Sequence, residues 1–416
     1  MLVLLILWPM KKNTPFIPVF VYFVCLVFLM MSCGQQEPIE NKVSKASSKI
    51  QTPSIIYLDS LVIEKKRDEL DKMFERLVRV TGFNGTVLYA EKGHVILKKA
   101  YGFTDVRRSK GELAVDDAFQ LASVSKMFTS MAIMILKNEG KLDFDEDIRT
   151  YLPDFPYENI TPRLLMTHRA GLPRYMSLAQ DEWKNKQIPL DNDDMYNLLL
   201  KYHPNVYFKP NNGFHYCNSN YAILANIVEV VSGQHFDDFI QERIFKPLGM
   251  TNSFVYNMRG DSIVSDYIGK GISGFYHRGR RWSEMENDYL NGVMGDKNVY
   301  STVEDLYKFD QAHDQGTLVP DSLLKMAFSP GSPRHSRRKD NYGFGWRIKN
   351  GMDSVVYHFG WWKGFRTFFI RDMRHHKTLI VLTNKDKGPG SVHFWDIIES
   401  DTLALGLKTN LQFNQE

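Results

Sequence analysis

Ser123 and Lys126 stand three residues apart at the head of an apolar run, Phe119 to Leu136, that contains no Pro or Gly and ends at Asn138-Glu139-Gly140. The pattern predicts a mostly buried helix stopped by its glycine. Residues three apart share a helix face, so the Ser123 hydroxyl can meet the Lys126 amine. A serine hydroxyl is a weak nucleophile until a neighbour takes its proton. A lysine does this when burial or nearby charge lowers its pKa. The free N–H groups at a helix start also favour an oxyanion beside them. Taken alone, Ser-x-x-Lys is more often an ordinary N-cap than a catalytic pair.

Two more groups of residues bear chemistry. Tyr216-Cys217-Asn218 precedes a helix expected over 219–232. In an extended approach, residues two apart point the same way. A phenol that shuttles a proton and an amide that holds a carbonyl would then face one site. Packing plus an N-cap is the plainer reading. His358-Phe359-Gly360 ends an expected strand and is followed by Trp361, Trp362 and Gly364. A glycine there lets a ligand backbone approach closely, while a lone strand-end His is by default a surface residue.

The elements that must hold these residues lie at both chain ends. A helix is expected over 59–80, then a hairpin of Gly85–Ala90 and His94–Tyr101. Thr161 to Pro173 reads as a short capped helix with Pro162 in its first turn, stopped at Gly171. Further helices are expected at 191–202, 236–245 and 302–314. The last hundred residues switch to period two, with strands at 342–349, 354–359, 365–371 and 378–383 and a closing helix at 394–405. The fold class is therefore α+β. An antiparallel sheet is built from both chain ends and flanked by helices, with a helical insertion at about 120–295.

The 416 residues are 43% hydrophobic and 24% charged, enough for a sizeable core. A net charge of +4, with no basic block interleaved with aromatics, gives no argument for nucleic acid. The basic clusters at Arg278–Arg281 and Arg334–Lys339 read as solvated loops. Residues 1–32 read as a bacterial lipoprotein signal, with Lys11-Lys12, the uncharged run Phe16 to Met31, and Ser32 before Cys33 as the lipidated residue. An uncleaved membrane helix is the alternative. Residues 33–58, rich in Gln, Ser, Lys and Pro, form a tether. The domain follows at 59–407 and a tail at 408–416. This predicts a lipid-anchored protein of the bacterial cell envelope, facing the periplasm or the exterior. Of three cysteines only Cys217 belongs to the domain, so no disulfide and no cysteine metal cluster can form within it.

The ordered set Ser-x-x-Lys, Tyr-x-Asn and His-x-Gly resembles the serine β-lactamase and penicillin-binding-protein superfamily, nearest its class C-like branch. Accessory stretches share the likeness: Leu164 to Pro173, Lys246 to Met250, and Gly295 to Leu306. It spans roughly residues 60–405. The resemblance implies a serine hydrolase working through an acyl-enzyme on an ester, a D-amino-acyl amide or peptide, or a β-lactam. It implies Ser123 as nucleophile, Lys126 beside it, and Tyr216 as proton shuttle. Asn218 would orient the substrate, His358 and Gly360 would form the substrate-lining strand edge, and the Ser123 and Trp361 N–H groups the oxyanion hole. No metal or organic cofactor is implied; the partner is a small-molecule or peptide substrate. The second reading is a penicillin- or peptidoglycan-binding homologue that acylates without efficient turnover. Many β-lactamases carry Lys where this chain has His358. An imidazolium at this position would hold a substrate carboxylate only below neutrality. Lys297-Asn298 is a departure without a functional reading.

Overall fold

The two chain ends meet in one sheet. A computed structural model of the chain describes residues 60–258, 271–333 and 340–399. The expected signal, Cys33, the whole tether, the tail and the closing helix beyond 399 lie outside the described residues. Helix α1 (Ser60–Thr81) leads into strands β1 (Gly85–Glu91) and β2 (His94–Tyr101). The chain rejoins this sheet through β3 (Asn341–Tyr342), β4 (Arg347–Ile348), β5 (Val355–Trp362), β6 (Phe365–Asp372) and β7 (Lys377–Thr383). The order is β3-β4-β5-β6-β7-β1-β2, antiparallel throughout. Gly85 opposes Thr383 and Glu91 opposes Lys377, so the early hairpin is locked to the last strand. The α+β architecture built from both ends is as the sequence predicts.

Between β2 and β3 run helices α2 (Lys126–Asn138), α3 (Pro162–Met166), α4 (Tyr175–Glu182), α5 (Asn192–Tyr202), α6 (Asn218–Ser232), α7 (Phe236–Ile240), α8 (Val303–Gln315) and α9 (Asp321–Ala327). Helix α10 (Val392–Glu399) follows the sheet. Alternation gives the sheet two buried faces. On one, Val87, Tyr89, Tyr357, Phe368 and Val381 pack with Leu70 and Phe74 of α1 and Phe394 and Ile397 of α10. On the other, Leu88, Val356, Phe369 and Ile380 join a larger core with α2, α6 and α8. Eleven of the thirteen residues of α2 are buried. Each large apolar side chain among them stabilises by about 1.5–3 kcal/mol relative to exposure.

Several boundaries differ from the sequence reading for local reasons. α3 ends at Met166 rather than near Gly171, because the Thr167 hydroxyl donates to Arg163 O (2.7 Å) and His168 turns left-handed at φ 57°. The expected strand 342–349 is split into β3 and β4 around Gly345 at φ 80°. The region expected to be helical also holds a hairpin, Gly274–Arg278 with Arg281–Met285, turning at Gly279. A small sheet pairs Phe119–Gln120 and Phe254–Val255 with Val299–Ser301.

Candidate active site

Ser123 sits not in α2 itself but in the 3₁₀ turn Ala122–Ser125 that leads into it. In such a turn residues i and i+3 eclipse, which brings the pair together. Lys126 Nζ donates to Ser123 Oγ (3.1 Å) and to the main-chain oxygen of Asp296 (2.7 Å). Lys126 is fully buried. Ser125 faces elsewhere, its Oγ accepting from the Val299 N–H (2.9 Å). Ala122 takes φ 49°, a left-handed conformation that residues with a Cβ seldom adopt. Strain of this kind collects at functional sites.

β5 presses directly on that turn. A Cβ at Gly360 would lie 2.2 Å from Leu121 O and 2.3 Å from Thr367 Oγ1. Thr367 Oγ1 itself donates to Leu121 O (2.7 Å). The close approach that Gly360 permits in this structure is to the turn carrying the nucleophile. The Trp361 indole is 72% exposed. By alternation it points to the face opposite His358 and Gly360, so only its main-chain N–H is available as the expected oxyanion donor.

Tyr216 and Asn218 flank Cys217, which is extended (φ −141°, ψ 126°) and forms the N-cap of α6. The Tyr216 hydroxyl is buried and has no hydrogen-bond partner among the described residues. Lys126 Nζ lies 5.2 Å from the centre of the Tyr216 ring. Asn218 is the first residue of α6; its Nδ2 donates to Met176 Sδ (3.7 Å) and its Oδ1 is unpartnered. His168 pins this segment. Its ring lies 4.3 Å from that of Tyr216, and its Nδ1 accepts from the Cys217 N–H (3.2 Å) and the Asn220 amide (3.0 Å). Burial, and then the charge of Lys126, hold the His168 pKa well below the usual histidine value.

His358 does not do what the sequence suggests. It lies within β5 rather than at its end and is 1% exposed. Its Nδ1–H donates to Phe359 O (2.9 Å) and its Nε2 accepts from the Tyr342 hydroxyl (2.9 Å). Both ring nitrogens are therefore occupied by the protein. Burial, then Arg347 and Lys126, push its pKa well below the ordinary value. In this structure His358 is neutral, and the Tyr342 hydroxyl and Phe359 O take both of its ring nitrogens.

The permanent cation here is Arg347, which the sequence reading did not single out. Its guanidinium lies 5.2 Å from the Tyr216 ring centre and 5.7 Å from that of Tyr342. Among the described residues it makes neither hydrogen bond nor ion pair. No spacing marks it in sequence. The pairing of β4 with β5, Arg347 opposite Tyr357, is what delivers it.

Lys297 gains an account. It is buried, and its Nζ donates to Tyr175 Oη (2.7 Å), Asp296 Oδ1 (3.0 Å) and Val293 O (3.1 Å). Burial lowers its pKa although Asp296 opposes the shift. This cluster fixes the loop whose Asp296 carbonyl receives Lys126. Among the described residues no group of His, Cys, Asp and Glu is arranged to hold a metal ion.

A family profile described as Beta-lactamase matches residues 70–402. Penicillin-binding protein 4* of Bacillus subtilis is 36% identical over 78% of this chain and 73% of its own length. The D-aminopeptidase of Brucella anthropi is 26% identical over 79% of this chain and 60% of its own length. Among solved structures, a penicillin-binding protein from Bacillus halodurans superposes with TM-score 0.67 at 25% identity, covering 79% of this chain and 98% of that one. The D-amino acid amidase of Ochrobactrum anthropi SV3 gives TM-score 0.62 at 22% identity, over 78% and 91%; at that identity the likeness is one of fold.

Proposed function

The chain belongs to the Beta-lactamase family of serine hydrolases, and we propose that it cleaves an amide or peptide bond through an acyl-enzyme on Ser123, the leaving group carrying a carboxylate. The observation that carries this reading is one arrangement. Ser123 Oγ is held by Lys126, whose amine lies 5.2 Å from the centre of the Tyr216 ring, and the buried Tyr216 hydroxyl has no partner among the described residues. Ser123 Oγ attacks the carbonyl carbon and gives up its proton to the Lys126–Tyr216 pair. The oxyanion forms against the Ser123 and Trp361 N–H groups. Collapse breaks the C–N bond, and Tyr216 passes the proton to the departing amine. Water then attacks the ester carbonyl and gives a proton to the Lys126–Tyr216 pair; the C–O bond to Ser123 breaks, the acid leaves, and the water's proton is passed to Ser123 Oγ. The free amide oxygen of Asn218 suits the N–H of the acyl part.

Arg347 supports the carboxylate. A guanidinium without an anion, set over the ring of the acid that serves the leaving group, matches a terminal carboxylate in charge and shape. The Arg347 guanidinium, whose charge adds to burial in keeping His358 neutral, also attracts such substrates. The name of the 36% identical relative favours a second reading, acylation by penicillin with slow release.

The test is a panel of nitrocefin, p-nitrophenyl esters, D-Ala-D-Ala peptides and D-amino-acyl anilides, with Ser123→Ala as control. Steady turnover of the peptides supports the first reading; a burst on the β-lactam without turnover supports the second. Tyr216→Phe is expected to lower kcat by roughly 10²–10⁴. We further propose that the mature protein begins at a lipidated Cys33, since the apolar run stops there. Intact mass of protein from a native envelope would show the lipid, or else a longer unmodified chain.

A further inference from the structure

Beside Tyr216 opens a cavity of about 710 Å³ whose wall includes Arg169, Phe214, Ser332, Tyr342, Arg347 and Asn350. Pockets of about 300–1,000 Å³ hold drug-sized ligands, so this one exceeds the need of a single alanine. Arg347 links it to the site, since it lines the cavity and lies 5.2 Å from the centre of the Tyr216 ring.

Its second guanidinium is the unexplained feature. Arg169 is 7% exposed. Its Nε donates to Asn211 Oδ1 (3.0 Å), one Nη to Ser332 Oγ (3.0 Å) and the other to the Asn211 main-chain oxygen. All three partners are neutral. A nearly buried charge without a counter-ion is costly. Of the two acids on the wall, Asp340 accepts from the Tyr357 hydroxyl and the Asn350 N–H, and neither Asp340 nor Asp353 pairs with Arg169 among the described residues. In sequence, the link between the wall residues Pro333 and Asp340 reads Arg-His-Ser-Arg-Arg-Lys, with no acid in it. The two guanidiniums of one cavity thus lack carboxylate partners.

We propose that this cavity binds a leaving group carrying a second oxyanion, carboxylate or phosphate, beyond the carboxylate at Arg347, and that Arg169 is the receptor for it. The proposal rests on the acyl-enzyme reading above and names the substrate class within it: an extended, multiply anionic leaving group. Guanidinium binds either oxyanion through paired N–H groups, and its hydrogen bonds to Asn211 and Ser332 hold it in place for that contact.

The test uses one acyl group, N-acetyl-D-alanyl, on four leaving groups: D-alaninamide, D-alanine, D-glutamate and D-phosphoserine. Wild-type kcat/KM is expected to rise from D-alanine to at least one of the last two by roughly tenfold or more, as a charge-assisted contact implies. The better of the two identifies the oxyanion. Arg169→Gln should shrink that step to under about threefold while keeping the step from D-alaninamide to D-alanine. Because Arg169→Gln can disturb the Asn211–Ser332 contacts, free D-glutamate and D-phosphoserine are also tested on the wild type as inhibitors of ester hydrolysis. At least one must inhibit better than D-alanine. Equal kcat/KM for D-alanine, D-glutamate and D-phosphoserine overturns this proposal alone. Hydrolysis of none, with Ser123 unlabelled by an acylating probe, overturns the acyl-enzyme reading and this proposal together.

Discussion

His358, the carboxylate anchor that the sequence suggests, is buried and neutral, and the Arg347 guanidinium lies 5.7 Å from the ring of its partner Tyr342. The sequence marks His358 because it stands beside Gly360 on a strand; it does not show that Tyr342 and Phe359 use both ring nitrogens. Nor does it show that burial and two cations keep the ring neutral. Burial of that kind arises from contacts distant in sequence, which no local pattern encodes. A consequence is testable by pH. With its pKa well below 6.5, His358 is already neutral at pH 6 and stays so to pH 8. KM for a D-Ala-D-Ala peptide should therefore show no rise near pH 6.5 attributable to an imidazolium. Arg347→Gln should raise that KM by roughly tenfold and leave KM for a neutral p-nitrophenyl ester much less changed. A wild-type KM that climbs through pH 6.5 for the peptide alone would restore His358 as the anchor. Ser123 and Lys126, by contrast, were legible, because a spacing of three survives the change from the expected helix to a 3₁₀ turn.

The elements were legible wherever a period ran long enough. α1, the β1–β2 hairpin, α6 and the strands β5 to β7 stand close to their expected limits. Short pieces were not: β3 and β4 are two residues each, and the hairpin at 274–285 sits in a stretch of weak alternation. The packing of β5 on the nucleophile's turn was equally invisible, since it joins Gly360 to Leu121 across most of the domain. Gly360→Ala tests it. The added methyl meets the Leu121 carbonyl and Thr367 Oγ1, and overpacking of this kind costs about 1–3 kcal/mol. Denaturant unfolding should show that loss, and kcat should fall in the folded fraction because the turn carrying Ser123 must shift. A variant with unaltered stability and kcat would mean that the contact does not set the site.

At the scale of the whole fold, the three histidines buried among the described residues weaken it on the acid side. Burial first, and then nearby cations, hold His168 and His358 well below 6.5; His313 is pushed down to about 3 by burial, with Arg371 adding to it. In the unfolded chain each takes a proton near pH 6.5, and the folded protein takes none until far lower. Stability is thus full above that value and falls as the pH drops below it, by about 1.4 kcal/mol per pH unit for each histidine. For His313 the loss continues down to about pH 3. Urea unfolding between pH 7.5 and 5 should show the decline, and His313→Gln should make it shallower. The raised carboxyl of Asp310 acts in the opposite sense, and the comparison of variant with wild type cancels it. Equal stability at pH 7.5 and 5 would contradict neutral burial.

Everything proposed for the site depends on acylation at Ser123. A fluorescent penicillin or a fluorophosphonate is incubated with the protein, followed by intact mass and peptide mapping. One adduct per chain is expected, on the Ser123 hydroxyl that Lys126 holds at 3.1 Å, and none on Ser123→Ala. An adduct on Ser125, whose hydroxyl accepts from the Val299 N–H, or unchanged labelling of Ser123→Ala, would contradict it.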